Sequence, residues 1–266
     1  MPERLPNEEM NPTRWRPDGW GSKARVGLLV PHIDVVPESE LRAMAPEGVS
    51  IHAARVPFGW RPGTAPLDAV RAFAEPPDVD KAVDLLADAP VGVIAYAFTS
   101  SSYLIGSDGD AALQRRLEGR SRGIPVLVPC TSAVTALRAL GVHRLFLVHP
   151  PWFSADLDRL GANYFREQGI EVKKAVAASL RGDQLSIQPS EVYEWVCSHT
   201  PAGTEGVFVG GNGFRVISVV ESLEATLGLP VITANTVLLW HALRLARVSG
   251  SVEGYGEIFH RDLPSR

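Results

Sequence analysis

Three pairs of short apolar segments recur in the same order along this chain, and they constrain its fold more than any other feature. Val26–Pro31 (VGLLVP) echoes Arg144–Pro150 (RLFLVHP). Gly92–Ser102 (GVIAYAFTSSS) echoes Gly203–Arg215 (GTEGVFVGGNGFR), and Gly123–Thr131 (GIPVLVPCT) echoes Gly228–Thr236 (GLPVITANT). Each holds an unbroken apolar run, as expected of a parallel strand buried on both faces. Several end in small and hydroxyl-bearing residues, as a ligand-facing turn before a helix would. Chance likeness among buried strands is the alternative to an internal repeat.

The pattern between these segments predicts an α/β protein with two pseudo-symmetric, Rossmann-like halves, each a small parallel sheet wrapped by helices. Strands are expected at 26–30, 50–56, 91–97, 126–128, 145–148, 171–175, 207–209 and 231–233. Helices are expected at 37–44, 66–73, 79–87, 110–118, 132–140, 154–167, 189–198, 214–226 and 237–247. The first half is expected to take residues 25–119 and 228–250, and the second 120–227. Residues 1–24 read as an N-terminal extension carrying Trp15 and Trp20, and 251–266 as a C-terminal tail.

Composition narrows the class. With 45% hydrophobic and 21% charged residues the chain fits a globular protein. A net charge of -4 offers no basic surface for nucleic acid. Two cysteines, Cys130 and Cys197, make neither a disulfide framework nor a metal-ligand spacing, and a reducing, cytoplasmic setting is the expectation. The polar first 24 residues lack a signal-peptide core, and no apolar run reaches the roughly 20 residues of a membrane span. The expected partner is a small-molecule substrate, with no nucleic acid and no membrane, and the tryptophans of the extension suggest a homo-oligomer.

Open parallel sheets bind ligands beyond the carboxyl ends of their strands. The residues just after the strands are therefore candidates: His32 and Asp34, Arg55, Phe98 to Ser102, Cys130, Trp152, Gly211 to Phe214, and Asn235. On an extended segment His32 and Asp34 share a face and fit a general base with its orienting partner. Asp34 equally fits a cap for the following helix. Thr99, Ser100, Ser101 and Ser102 at a helix N-terminus suit an oxyanion, or form a plain N-capping turn. Gly211, Asn212 and Gly213 fit an anion nest or a tight turn. Phe98, Trp152 and Phe214 fit a pocket wall or the core. Cys130 fits a relocated thiol or turn packing, and Arg55 a structural ion pair or a substrate clamp.

These segments, taken together and in this order, resemble the aspartate/glutamate racemase superfamily, in its maleate isomerase and arylmalonate decarboxylase branch, over about residues 25–247. The resemblance implies two halves that sandwich a small carboxylate and need no metal or organic cofactor. In that superfamily each catalytic turn offers a thiol, and a thiol suits proton transfer because its pKa tunes toward neutrality. Here Phe98 and Gly211 stand at those two positions. His32 and Asp34 replace a serine and an asparagine that hold a carboxylate, and Trp152 replaces a tyrosine.

An anionic Asp34 would repel a carboxylate at that spot: two unit charges ~4 Å apart interact by about 4 kcal/mol at an effective dielectric of ~20. The expectation is a cofactor-independent isomerase or lyase acting on a small carbonyl or carboxylic compound without the two-cysteine mechanism. Its reaction would be proton transfer, isomerisation, decarboxylation or ring opening. Asp34, aided by His32, would move the proton. Thr99, Ser100 and the amides of residues 211–213 would hold the oxyanion. The alternative is an inactive relative that binds a metabolite or a partner.

Overall fold

The computed structural model describes residues 18–59, 66–250 and 252–264. Trp15 lies outside them, and Trp20 is exposed beside Arg25, whose guanidinium sits 5.2 Å from the indole centroid. Ala24–Pro31 (β1), Val49–Val56 (β2), Val93–Tyr96 (β3) and Val126–Leu127 (β4) form one parallel sheet in the order β2-β1-β3-β4. Arg144–His149 (β5), Glu171–Ala177 (β6), Gly206–Val209 (β7) and Val231–Thr233 (β8) repeat that order as β6-β5-β7-β8. Leu28 of β1 lies between Ala53 and Ala95, and Leu147 of β5 between Ala175 and Phe208. The echo in the sequence is thus a repeat in space.

The helices are Val36–Met44 (α1), Pro66–Ala74 (α2), Asp78–Asp88 (α3), Thr99–Arg120 (α4), Pro129–Ala139 (α5), Ala155–Glu167 (α6), Pro189–His199 (α7), Val220–Leu227 (α8) and Ala234–Leu245 (α9). Three of them start three or more residues before the sequence suggested. α5 has Pro129 in its first turn, where a missing N–H costs nothing. α9 opens with a reciprocal cap between Thr233 and Thr236. α4 opens at Thr99 and not Asp110, because its Thr-Ser-Ser-Ser start is a helical turn. Gly106, at φ 71°, breaks that helix where the sequence pattern loses its period.

The expected division into halves needs correction. β4 belongs to the first sheet and β8 to the second, since a strand-helix-strand crossover lays each new strand beside its predecessor. Only the helices exchange. α9 leaves β8 and packs on α1, β3 and β4, whereas α5 leaves β4 and packs on β8 and on α9. One apolar core consequently spans both sheets, joining Val26, Leu28 and Ala95 to Leu147, Phe208 and Ile232 through Leu238 and Trp240 of α9. The segment read as a C-terminal tail joins this core in its described part. Ile258 and Phe259 are buried, and Trp240 Nε1 donates to the Arg261 carbonyl at 2.8 Å.

The strand order reverses between β1 and β3 and again between β5 and β7. Ligands bind at such switch points, and here the two of them face one cleft. Among the described residues no helix is long and apolar enough to cross a membrane.

Candidate active site

The loops after β1, β3, β5 and β7, joined by those after β2 and β6, meet in the cleft around a cavity of about 360 Å³, a size that suits a small ligand. The loop after β1 supplies Ile33 and Asp34, and the loop after β3 supplies Phe98, Thr99 and Ser100. The loop after β5 supplies Trp152 and Phe153, and the one after β7 supplies Gly211, Asn212 and Gly213. A larger surface hollow near Arg244 and Arg247 lies apart from all these loops and is open to solvent.

Asp34 is the buried acid of the cavity, with 8% of its surface exposed, whereas Asp183, which also lines it, is exposed. The chain turns back after β1, where the Asp34 N–H donates to the Pro31 carbonyl at 2.9 Å. That turn overturns the expected His32–Asp34 pair, which required an extended segment. His32 is exposed, accepts the Phe58 N–H on Nδ1 at 2.9 Å and does not line the cavity. Asp34 both caps and lines. Its Oδ1 accepts the Val36 N–H at 3.0 Å, at the start of α1, while a Cβ placed on Gly213 in the cavity wall would stand 2.7 Å from its Oδ2. Burial raises the Asp34 pKa to about 6, against the lowering effects of the Val36 N–H and the Arg55 charge. Arg55 is structural: it donates to the Asp34 backbone carbonyl at 2.9 Å and to Glu38 at 2.7 Å.

A buried relay crosses the cleft behind the cavity. Thr99 donates its N–H and its hydroxyl to Asn212 Oδ1, at 2.9 and 2.5 Å. Asn212 Nδ2 donates to Asn235 Oδ1 at 2.9 Å. Asn235 Nδ2 donates in turn to Glu40 Oε2 at 2.7 Å and to the Asn212 carbonyl at 2.9 Å. Glu40 Oε1 accepts the N–H groups of Val216 and Ile217 at 2.9 and 3.3 Å. The Thr99 N–H can only donate, which fixes the Asn212 amide with Oδ1 toward α4. One N–H of Asn212 Nδ2 is then left without a protein acceptor among the described residues, on a side chain that lines the cavity. Ser100 also lines the cavity, and its hydroxyl has no side-chain partner among the described residues. Asn212, Ser100 and the N-terminus of α4 thus form a cluster of donors.

Several expected contacts are corrected. Ser101 turns inward to the Phe98 carbonyl and the Tyr96 hydroxyl, and Ser102 to Asp110 at 2.6 Å. Asn235 is a link of the relay and not part of the lining. Phe214 is buried behind Trp152, with ring centroids 5.8 Å apart. Cys130 is fully buried with its pKa pushed well above the ordinary value by desolvation, so it is no poised nucleophile.

The sequence reading missed Phe58, Phe153 and Gln184, which line the cavity. Each lies a few residues beyond a strand end, at β2, β5 and β6, so the strand-end rule applied to every strand would have found them.

Gly211 leaves no room for a thiol. Its φ is +91°, and an added Cβ would stand 2.8 Å from Pro150 Cδ. A Gly211→Cys variant is expected to lose roughly 1–3 kcal/mol from strain and overpacking, read as a lower midpoint in urea at unchanged slope. A variant as stable as the parent would show that the loop yields.

Glu40, buried like Asp34, has its pKa raised to about 7, chiefly by desolvation. For both groups the folded value lies above the ordinary one, so between about pH 4 and 7 the folded chain holds protons that the unfolded chain has released. Their contribution to stability is therefore complete below that window and lost across it, by roughly 3 kcal/mol for each. Thermal unfolding at pH 5 and pH 8 checks this, with Asp34→Asn expected to shrink the difference. An unchanged difference would remove Asp34 as a source.

These features define a two-lobed α/β protein with a buried acid and a donor cluster lining one interlobe cavity. The family model of arylmalonate decarboxylase matches residues 73–259, and the chain belongs to that family. This places it among isomerases and lyases. It is 24% identical over 251 residues to the maleate isomerase of Alcaligenes faecalis, covering 88% of this chain and 95% of the relative. It is 23% identical over 172 residues to the arylmalonate decarboxylase of Bordetella bronchiseptica, covering 63% and 70%. The crystal structure of the Pseudomonas putida S16 maleate isomerase with maleate superposes at a TM-score of 0.80 and 23% identity, over 89% of this chain and 97% of that one.

Proposed function

We propose that this chain is a cofactor-independent isomerase or lyase in which Asp34 moves a proton to or from a carbon next to a carbonyl group. The observation that carries this reading is the buried Asp34 carboxyl, which has one oxygen free at the cavity wall and a pKa raised to about 6. A general acid-base group works best when its pKa lies near the operating pH, and perturbed acids in clefts mark functional sites.

In proton abstraction, the C–H bonding pair becomes the enolate, Asp34 takes the proton, and the negative oxygen rests on the donors of Ser100, Asn212 and α4. Returning the proton at the same or another position gives an isomerisation. In decarboxylation, the C–C bond to the departing carboxylate supplies the electron pair, CO₂ leaves, and protonated Asp34 delivers its proton to carbon. Both routes run without a thiol, and among the described residues no cysteine lines the cavity. The cavity is also open, where an inactive relative would be expected to have it filled by Phe98 and Trp152. The test is proton NMR in D₂O on small carbonyl compounds: loss of carbon-bound proton signals beside the carbonyl is expected, and its dependence on Asp34 decides the mechanism.

A further inference from the structure

We propose that the compound bound in this cavity presents an uncharged group, such as a carboxamide, to Asp34, so that the site selects neutral carbonyl compounds bearing an aryl or branched alkyl group over dicarboxylates. The proposal rests on the Asp34 reading above and concerns what that residue will accept.

The cavity has two unlike polar ends. At the α4 end, Ser100 and Asn212 donate hydrogen bonds and suit one carbonyl or oxyanion oxygen. At the other end stands the Asp34 carboxyl, with the Gln184 amide near it. An added Cβ on Gly213 would stand 2.7 Å from Asp34 Oδ2 and 3.2 Å from Gln184 Oε1, and the Gln184 carboxamide has no side-chain partner among the described residues. The Asp34 oxygen suits a ligand N–H and opposes a ligand carboxylate, and the unpartnered Gln184 amide beside it presents either its oxygen or its nitrogen to the ligand.

Among the described residues no Lys, Arg or His side chain lines the cavity. Two cations close to these loops are engaged elsewhere: Arg55 holds the Asp34 backbone carbonyl and Glu38. Arg215 lies in a separate pocket on the far side of Gln184 and donates to the Ile187 carbonyl at 2.7 Å. The Asp183 carboxylate is also held in its own turn by the N–H groups of Leu185 and Ser186. A second carboxylate would meet acids and apolar groups here. Between the two ends the wall is aromatic, made by Phe58, Phe98, Trp152 and Phe153, with Phe58 and Phe98 edge-to-face at 5.2 Å. Such a wall takes an aryl or branched apolar substituent.

The test compares three near-isosteric ligands by calorimetry at pH 8: phenylmalonate, its monoamide and its diamide. The two amides are expected to bind at least tenfold more tightly than the dianion. Asp34→Asn is expected to tighten the dianion at least fivefold and to weaken the diamide, because an amide N–H then stands where the Oδ2 acceptor stood, so that the preference for the diamide shrinks or reverses. Equal or tighter binding of the dianion by the wild-type protein would overturn the proposal, as would no saturable binding of either amide at millimolar concentration. A dianion affinity that Asp34→Asn leaves unmoved would also overturn it. Binding of the diamide needs no turnover, so this result stands apart from the deuterium-exchange test of Asp34 as the proton carrier.

Discussion

Asp34→Asn is expected to lower turnover by about 10²- to 10⁴-fold, the usual contribution of a positioned acid-base group, while raising stability at pH 8. The substitution preserves shape. Asparagine keeps an oxygen to accept the Val36 N–H and places its amide nitrogen where Oδ2 stood at the cavity wall. It also removes a carboxylate that burial disfavours, whose pKa stands at about 6. Relief of that penalty amounts to roughly 3 kcal/mol at most, or a rise of several degrees in Tm. Activity and stability should therefore move in opposite directions, the signature of a site held at a cost to the fold. A merely structural Asp34 would lower both or neither. The measurement pairs the rate of deuterium incorporation beside the carbonyl with Tm in the same buffer. Undiminished exchange in the variant would remove Asp34 from the chemistry.

The parts of this molecule that were legible in sequence share a physical cause. β3 and β7 are buried on both faces, so every residue is apolar and the strands stand out as unbroken runs. Their echo fixed the two-sheet architecture, and the strand-end rule located Asp34, Phe98, Thr99, Ser100, Trp152 and Asn212, all of which line the cavity. Failures came where a residue's surroundings are set by distant chain. His32 and Asp34 looked co-facial because nothing local announces the reversal after Pro31. Ser101 and Ser102 looked like Ser100, but one helical turn points them at Tyr96 and Asp110. The exchange of α5 and α9 between sheets is a tertiary choice with no local signal. Glu40 was invisible for a related reason. A glutamate in an amphipathic helix ordinarily reads as solvent-facing, and only the arrival of α9 and the 216–217 backbone buries it.

Glu40→Leu is expected to destabilise the protein by about 2–6 kcal/mol at pH 5. Leucine matches the bulk of glutamate but accepts no hydrogen bond. The N–H groups of Val216 and Ile217 would lose their acceptor, and a buried donor left unpaired costs roughly 1–3 kcal/mol. Asn235 Nδ2 would keep the Asn212 carbonyl, so it adds less. The loss should shrink by about 3 kcal/mol at pH 8, because the wild-type protein itself loses stability as Glu40 ionises through its raised pKa of about 7. Glutamine is no neutral replacement. Its amide nitrogen must face either Asn235 Nδ2 or the two backbone N–H groups, and each choice sets donor against donor. Both variants should also loosen Asn235, which loses its bond to Glu40, while Thr99 still holds the Asn212 amide. Chemical unfolding at the two pH values reads the effect. A Glu40→Leu protein of parental stability at pH 5 would mean that the apolar packing of α5, α9 and the two sheets holds the lobes together, with the relay contributing nothing to stability.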